Sequence, residues 1–292
     1  MSDSVRARLL RAAHRRPALG TAATLAPGVG WLVVFFAAPL ALMLAASFAR
    51  RGVYGGIQPA LTLENYRRLF DPLYVGILRR SVLLALATTA GCLALGYPIA
   101  YTIARSGRWK HLLLFLIVLP FWTSFLVRTY AMMFLLRDTG LVNTWLLRLG
   151  LVDAPLTLLY TPGAVVLGLV YGYLPFMVLP CYASIEKLDP SLLEAAESLG
   201  ARPLARFFTV TVPLTLPGIL TGSVLVFIPA LGAFLTPDLL GGAKTMMIGN
   251  LVQNQFTTAR DWPFGAAASF LLMAIVLVLL AGARRARRAV VG

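Results

Sequence analysis

The chain is 292 residues long, 59% hydrophobic and 13% charged, where an ordinary soluble domain carries about 25% charged residues. So much apolar surface excludes a water-soluble core and directs the reading to membrane-spanning runs. The formal net charge of +15 raises nucleic acid as a partner, but the basic residues sit at the ends of apolar runs, where cytoplasmic flanks meet anionic head groups.

In chain order, residues 1–24 form a basic N-terminus with Arg6, Arg8, Arg11, Arg15 and Arg16. The apolar run that follows, 25–48, is longer than the core of a cleaved signal peptide and reads as an uncleaved first span. Residues 49–80 form an amphipathic segment expected on the outer, periplasmic side, and its arginines, Arg50, Arg51, Arg67, Arg68, Arg79 and Arg80, weaken the positive-inside bias. Residues 81–283 hold five further spans, at Ser81 to Ala104, His111 to Leu136, Gly163 to Ile185, Pro213 to Leu235 and Phe264 to Ala283. A basic cytoplasmic tail, 284–292, with Arg284, Arg285, Arg287 and Arg288, closes the chain. From a cytoplasmic N-terminus, six crossings return the C-terminus to the cytoplasm, and the expected fold is an all-α polytopic membrane protein.

Cys92 and Cys181 fall within apolar spans and read as packing residues, with no disulfide framework or metal-ligand spacing. His14 and His111 are too far apart for a local metal motif. The loop 186–212 is the polar exception, with Glu186, Lys187, Asp189, Glu194, Glu197, Arg202 and Arg206, and after four crossings it is cytoplasmic. Asp189-Pro190 supplies an N-cap and a first-turn proline, and Leu192, Ala195, Ala196 and Leu199 follow at helical spacing. Gly200 suits a left-handed helix end, and Arg202-Pro203 starts a second helical stretch through Phe208. A helix of about ten residues is marginal alone in water, so this one needs a surface, either its own bundle or another protein.

Glu194-Ala195-Ala196, Gly200-Ala201, Phe207, Pro213 and Pro217-Gly218-Ile219 together resemble the EAA loop of ABC importer permeases. The resemblance implies the type I ABC importer permease fold, with six transmembrane helices and a cytoplasmic coupling helix. Glu194, Ala195, Ala196, Leu199, Gly200 and Ala201 would then sit in a cleft of an ATPase subunit. Leu61 to Leu73, Leu119 to Tyr130, Leu174 to Ser191 and Gly241 to Ala267 are similar to the spermidine/putrescine branch, with opines, ferric iron and other small solutes as alternative cargoes. The family implies further partners: a second, related but non-identical permease, two cytoplasmic ATPases and an external solute-binding protein. It also implies the bacterial cytoplasmic membrane as location.

The chain is expected to carry no catalytic residue, cofactor or metal of its own. Gly241-Gly242-Ala243-Lys244-Thr245 lacks the glycines of a phosphate-binding loop, so ATP and Mg belong to the partner ATPases. A polyamine calls for aromatic faces and carboxylates. No Asp or Glu lies within a span, which leaves Trp122, Tyr130, Tyr171, Tyr173 and Phe176 as pathway candidates, with Asp238 and Asp261 near the outer mouth. Packing or lipid contact is the competing reading for each aromatic. Arg128, a charge within a span, reads either as an anchor that snorkels outward or as a donor to carbonyls of a neighbouring helix. On the residues alone, a channel or ion-coupled secondary transporter fits the same spans, with 186–212 a plain connector. A membrane enzyme finds no cluster of His, Cys, Ser or paired carboxylates at a common depth.

Overall fold

Lipid offers a backbone no water to bond with, so each long apolar run closes its own hydrogen bonds as a helix. The computed structural model describes residues 17–52, 55–58 and 60–291; Arg6, Arg8, Arg11, His14, Arg15 and Arg16 lie outside them, as do the side chains of Arg287 and Arg288. Five helices are long and apolar enough to cross a membrane, and a bent pair counted as one span makes six.

The first crossing joins α1 (Pro17–Leu32) to α2 (Ala38–Ser47) through a π turn at Val33–Ala37. The outer segment then adds a feature that the all-helical expectation lacks, a short antiparallel hairpin of β1 (Arg50–Arg51) and β2 (Ile57–Gln58). It is followed by α3 (Glu64–Arg68). α4 runs over Pro72–Arg105, so the second membrane helix begins well before Ser81. Its 34 residues span about 51 Å at 1.5 Å per residue, against a hydrocarbon layer of about 30 Å, so α4 projects beyond the lipid.

The third expected span, His111 to Leu136, is not one helix. α5 (Lys110–Val118) tightens into a 3₁₀ turn at Leu119–Trp122, and α6 (Phe125–Leu136) leaves at 91° to it. Pro120 cannot donate to the helix ladder, and Thr123 and Ser124 take extended ψ values of 151° and 134°. α7 (Leu141–Arg148) and α8 (Pro162–Ile185) follow. The cytoplasmic loop contains α9 (Pro190–Ser198) and α10 (Pro203–Arg206).

The fifth membrane helix starts earlier than Pro213. α10 continues through a π turn, Phe207–Thr211, into α11 (Val212–Leu231). Pro39 and Pro213 each stand two residues beyond a π turn. A proline ring crowds the carbonyl four residues back, and the wider turn gives it room without ending the helix. α12 (Leu235–Gly241) and α13 (Ile248–Thr257) form a short outer pair before the last helix, α14 (Trp262–Val291).

The core is built where α4, α8 and α11 cross, around Cys92, Tyr97, Met177, Val178, Cys181 and Val226. Both cysteines are buried and unpaired there, as packing residues. A second cluster gathers Ala230, Ile248, Phe264 and Ala268 beneath the outer segment. Arg68 Nη1 pairs with Asp261 Oδ2 at 2.9 Å, Arg51 Nη2 donates to the Ala259 carbonyl at 2.8 Å, and Arg80 Nη1 donates to the Lys244 carbonyl at 2.9 Å. Three of the arginines of residues 49–80 that dilute the charge bias are thus clamps between that segment and the turns before α13 and α14.

Gly218 sets how closely α8 and α11 approach. A Cβ on it would stand 2.5 Å from Ser184 Cβ and 2.7 Å from the Pro180 carbonyl oxygen. Gly218→Ala is expected to force the helices apart and cost about 1–3 kcal/mol of stability. Gly28→Ala, whose Cβ meets nothing within 4 Å, is the control. Thermal unfolding of the detergent-solubilised chain checks this, and equal melting of the two variants would refute the close-approach account.

Candidate functional site

The cytoplasmic loop folds as its sequence dictates. Asp189 caps α9 by accepting from the Ser191 backbone at 2.9 Å, and Pro190 fills the first turn, where no donor is needed. The other end closes as a Schellman motif: Ala201 N donates to Ala196 O at 3.0 Å and Gly200 N to Glu197 O at 2.9 Å. Gly200 takes φ +82°, and a Cβ there would meet no atom within 4 Å. Glycine is therefore required by the backbone, not by crowding.

Glu194 and Ala195 face outward and Ala196 and Ala201 are half-buried, while Leu199 stands 88% exposed at the corner. Leu192, Leu204 and Phe208 add to this exposed apolar surface. Between α9 and the inner ends of α4 and α8 lies a concavity of about 480 Å³, lined by Tyr101, Arg105, Glu186, Glu194, Glu197 and Arg206. Arg206 Nη1 donates to Glu197 Oε2 and ties α10 to α9. Lys110 Nζ meets Glu186 Oε1 at 2.7 Å and ties the start of α5 to the end of α8. Lys110, and after it Tyr182, hold the Glu186 carboxyl below its ordinary range. The pair is thus charged at neutral pH and lost only as pH falls through that depressed value.

Behind the loop stands an aromatic joint that sequence reading did not single out. The Phe207 ring meets Tyr97 edge-on at 5.8 Å and Tyr101 at 5.4 Å, and the Tyr97 hydroxyl shares a 2.7 Å hydrogen bond with Thr215 Oγ1. The π turn places Phe207 against α4; the sequence marks Phe207 as part of the loop motif but gives no sign of its tyrosine partners.

The pathway candidates do not converge on one site. Trp122 is 76% exposed at the break between α5 and α6, and Tyr130 and Tyr171 are exposed on α6 and α8. Phe176 packs edge-on against Phe121 at 5.5 Å. Tyr173 packs against three core clusters and donates to the Pro229 carbonyl at 3.3 Å, which fits a packing role. Asp238 is exposed, with Oδ1 accepting from Asn250 Nδ2 at 3.2 Å; Asn250 also bonds Phe234 O and the Met247 amide, so it fixes that carboxylate. Asp261 is 1% exposed, with one oxygen on Arg68 and the other accepting from Phe264 N at 3.3 Å. Its geometry is that of a helix cap and clamp, leaving no carboxylate edge for a solute.

Arg128 follows neither sequence reading. Its Nε and Nη1 are buried and bond no carbonyl among the described residues, and its guanidinium lies over Phe121 at 4.7 Å and beside Phe125 at 5.8 Å. Among the described residues, no three His, Cys, Asp or Glu side chains gather to hold a metal ion.

Comparison with known proteins bears on this architecture. Residues 93–290 match the model of the family described as binding-protein-dependent transport system inner membrane component. The chain is 47% identical over 261 residues to the spermidine/putrescine transport system permease protein PotB of Escherichia coli K12, covering 89% of this chain and 95% of that one. It is 45% identical over 251 residues to the protein of the same name from Haemophilus influenzae, covering 86% and 88%. Its fold matches a chain in the crystal structure of a bacterial alginate ABC transporter in complex with an alginate pentasaccharide-bound periplasmic protein, at TM-score 0.72 and 20% identity, covering 97% and 98%. With two thirds of its length matched by the family model and 89% of it by a permease protein at 47% identity, the chain belongs to the binding-protein-dependent transport system inner membrane component family.

Proposed function

We propose that this permease forms half of a polyamine import pathway, powered by separate ATPase subunits that grip α9. The observation that carries the cargo is the 47% identity to the spermidine/putrescine permease along 89% of the chain. The observation that supports the grip is a short, capped helix with Leu192 exposed on it, Leu199 exposed at its C-cap and Leu204 exposed on α10, an apolar surface left uncovered among the described residues. ATP and Mg sit on the partner subunits, and an external solute-binding protein delivers cargo, a reading supported by the alginate ABC transporter, whose structure is in complex with an alginate pentasaccharide-bound periplasmic protein.

A second, related permease completes the pathway. At the break between α5 and α6 the backbone of Thr123 and Ser124 is irregular and residues 122–127 are exposed. Irregular backbone at membrane depth is tolerated only against protein or a water-filled cavity, never against lipid tails. That face is therefore turned to the second permease and the pathway between the two chains. With α9 in the cytoplasm, the N- and C-termini are cytoplasmic and the hairpin and α12–α13 pair face outward. ATP-driven closure of the ATPases moves α9 and switches access between the two sides.

The experiment is uptake of labelled spermidine or putrescine into proteoliposomes holding the full complex, with ATP supplied to the ATPases. Uptake that requires both ATP and this chain is expected; transport by the chain alone would favour a channel or secondary transporter. Glu194→Lys is expected to leave membrane insertion intact while ATP hydrolysis proceeds without uptake, and normal uptake by that variant would overturn the coupling assignment. Position 200 gives a graded check. Alanine there meets only a backbone cost of about 1 kcal/mol, enough to speed exchange of the Gly200 and Ala201 amides roughly fivefold, whereas asparagine, which tolerates the left-handed region, is expected to lie between glycine and alanine.

A further inference from the structure

Arg128 is charged, lies beside the middle of a membrane helix, and has no counter-charge among the described residues. Beside it on α8 stand Gly168, Tyr171 and Gly172, and Tyr171 is tenth in a 24-residue helix, close to its midpoint. Nε and Nη1 are buried with no acceptor among the described residues. The two phenylalanine rings each contribute about 0.5–2 kcal/mol, less than the several kcal/mol lost when a guanidinium leaves water unpaired. Arg128 also lies in the first turn of α6, where the positive end of the helix dipole opposes a cation.

Nothing among the described residues supplies the missing charge. The membrane helices α2, α4, α5, α6, α8 and α11 contain no Asp or Glu. The space beside the guanidinium is about 10 Å³, room for about one water molecule, against several unpaired N–H donors. Lipid phosphates lie at the surface, half a bilayer away, and a polyamine carries the wrong sign. The adjoining face, residues 122–127, is uncovered.

We propose that Arg128 receives a carboxylate from the second permease subunit, as an ion pair across the interface beside the break in the third span. Of the three guanidinium nitrogens, Nη2 is the one not enclosed by the chain, and it faces the incoming oxygen. A short swing of the flexible stem off the phenylalanine rings adds Nη1 and makes the pair bidentate. The pair fixes the register of the two chains where neither has an unbroken helix to align, because a buried charge accepts few alternative settings. This rests on the two-permease reading above.

The test uses the complete transporter in mild detergent, comparing wild type, Arg128→Met, Arg128→Lys and Arg128→Glu. The isolated Arg128→Met chain is expected to be extracted and to melt like wild type, since Met keeps contact with the two phenylalanine rings, no hydrogen bond is lost, and the cost of the unpaired charge is removed. Recovery of the second permease with it should fall by roughly tenfold or more, because that subunit's carboxylate is left buried and unpaired. Arg128→Lys should retain part of the recovery, and Arg128→Glu should lose it until one intramembrane carboxylate of the second permease is changed to Arg. Wild-type recovery and uptake by Arg128→Met would overturn the proposal, as would a loss of stability in the isolated chain, which would place the partner within it. A loss that no single reversal restores would show that the acceptor is not a carboxylate. If wild type itself recovers no second permease, the two-permease reading fails along with this pair.

Discussion

The absence of water at membrane depth governs this molecule. Every backbone donor and acceptor that a proline or a bend releases must be met by protein; several prolines, such as Pro98 and Pro175, sit inside unbroken helices, and three others mark a change in the helix. At Pro39 and Pro213 a π turn precedes the ring and the helix carries on. At Pro120 it does not: the helix tightens, stops and restarts at a right angle. The first device keeps a rod intact, and the second opens one, placing irregular backbone on an uncovered face.

The same constraint explains where charge is allowed. Asp261 is buried, yet Arg68 and the first turn of α14 satisfy both of its oxygens, so it costs little and locks the outer segment. Arg128 is the contrasting case, desolvated against aromatic rings with no acceptor. The chain tolerates an unbalanced charge only beside the break, where its surface is also unfinished. Both features lie on the face that the proposed second permease would cover.

Much of this could be read from the residues. The apolar runs located the membrane helices, and Asp189, Pro190 and Gly200 located both ends of the cytoplasmic helix, because caps are local chemistry. What escaped was set by contacts distant in sequence. Pro72 rather than Ser81 starts α4, since the outer turns are held by Arg80 and the Lys244 carbonyl, not by hydropathy. Pro213 looked like a helix start, and only a π turn, which has no composition signal, allowed α10 and α11 to be continuous. Asp261 looked available at the mouth because its partner Arg68 lies 193 residues away.

The layout of the cytoplasmic side has a mechanical consequence. From Pro203 to Leu231 the chain is one helical rod, and Phe207 within it is wedged edge-on against Tyr97 and Tyr101 of α4. A force applied at α9, on the proposed docking, meets the Gly200 corner and beyond it a continuous helical segment. Arg206 is bonded to Glu197 across that corner. On that docking, the contacts that join α11 to α4 are the Phe207 joint and the Tyr97–Thr215 hydrogen bond. α4, α8 and α11 share one packed core, and α8 lies against the break through Phe176 and Phe121. A chain of contacts thus runs from the cytoplasmic helix to the break, where a crossing helix is already interrupted.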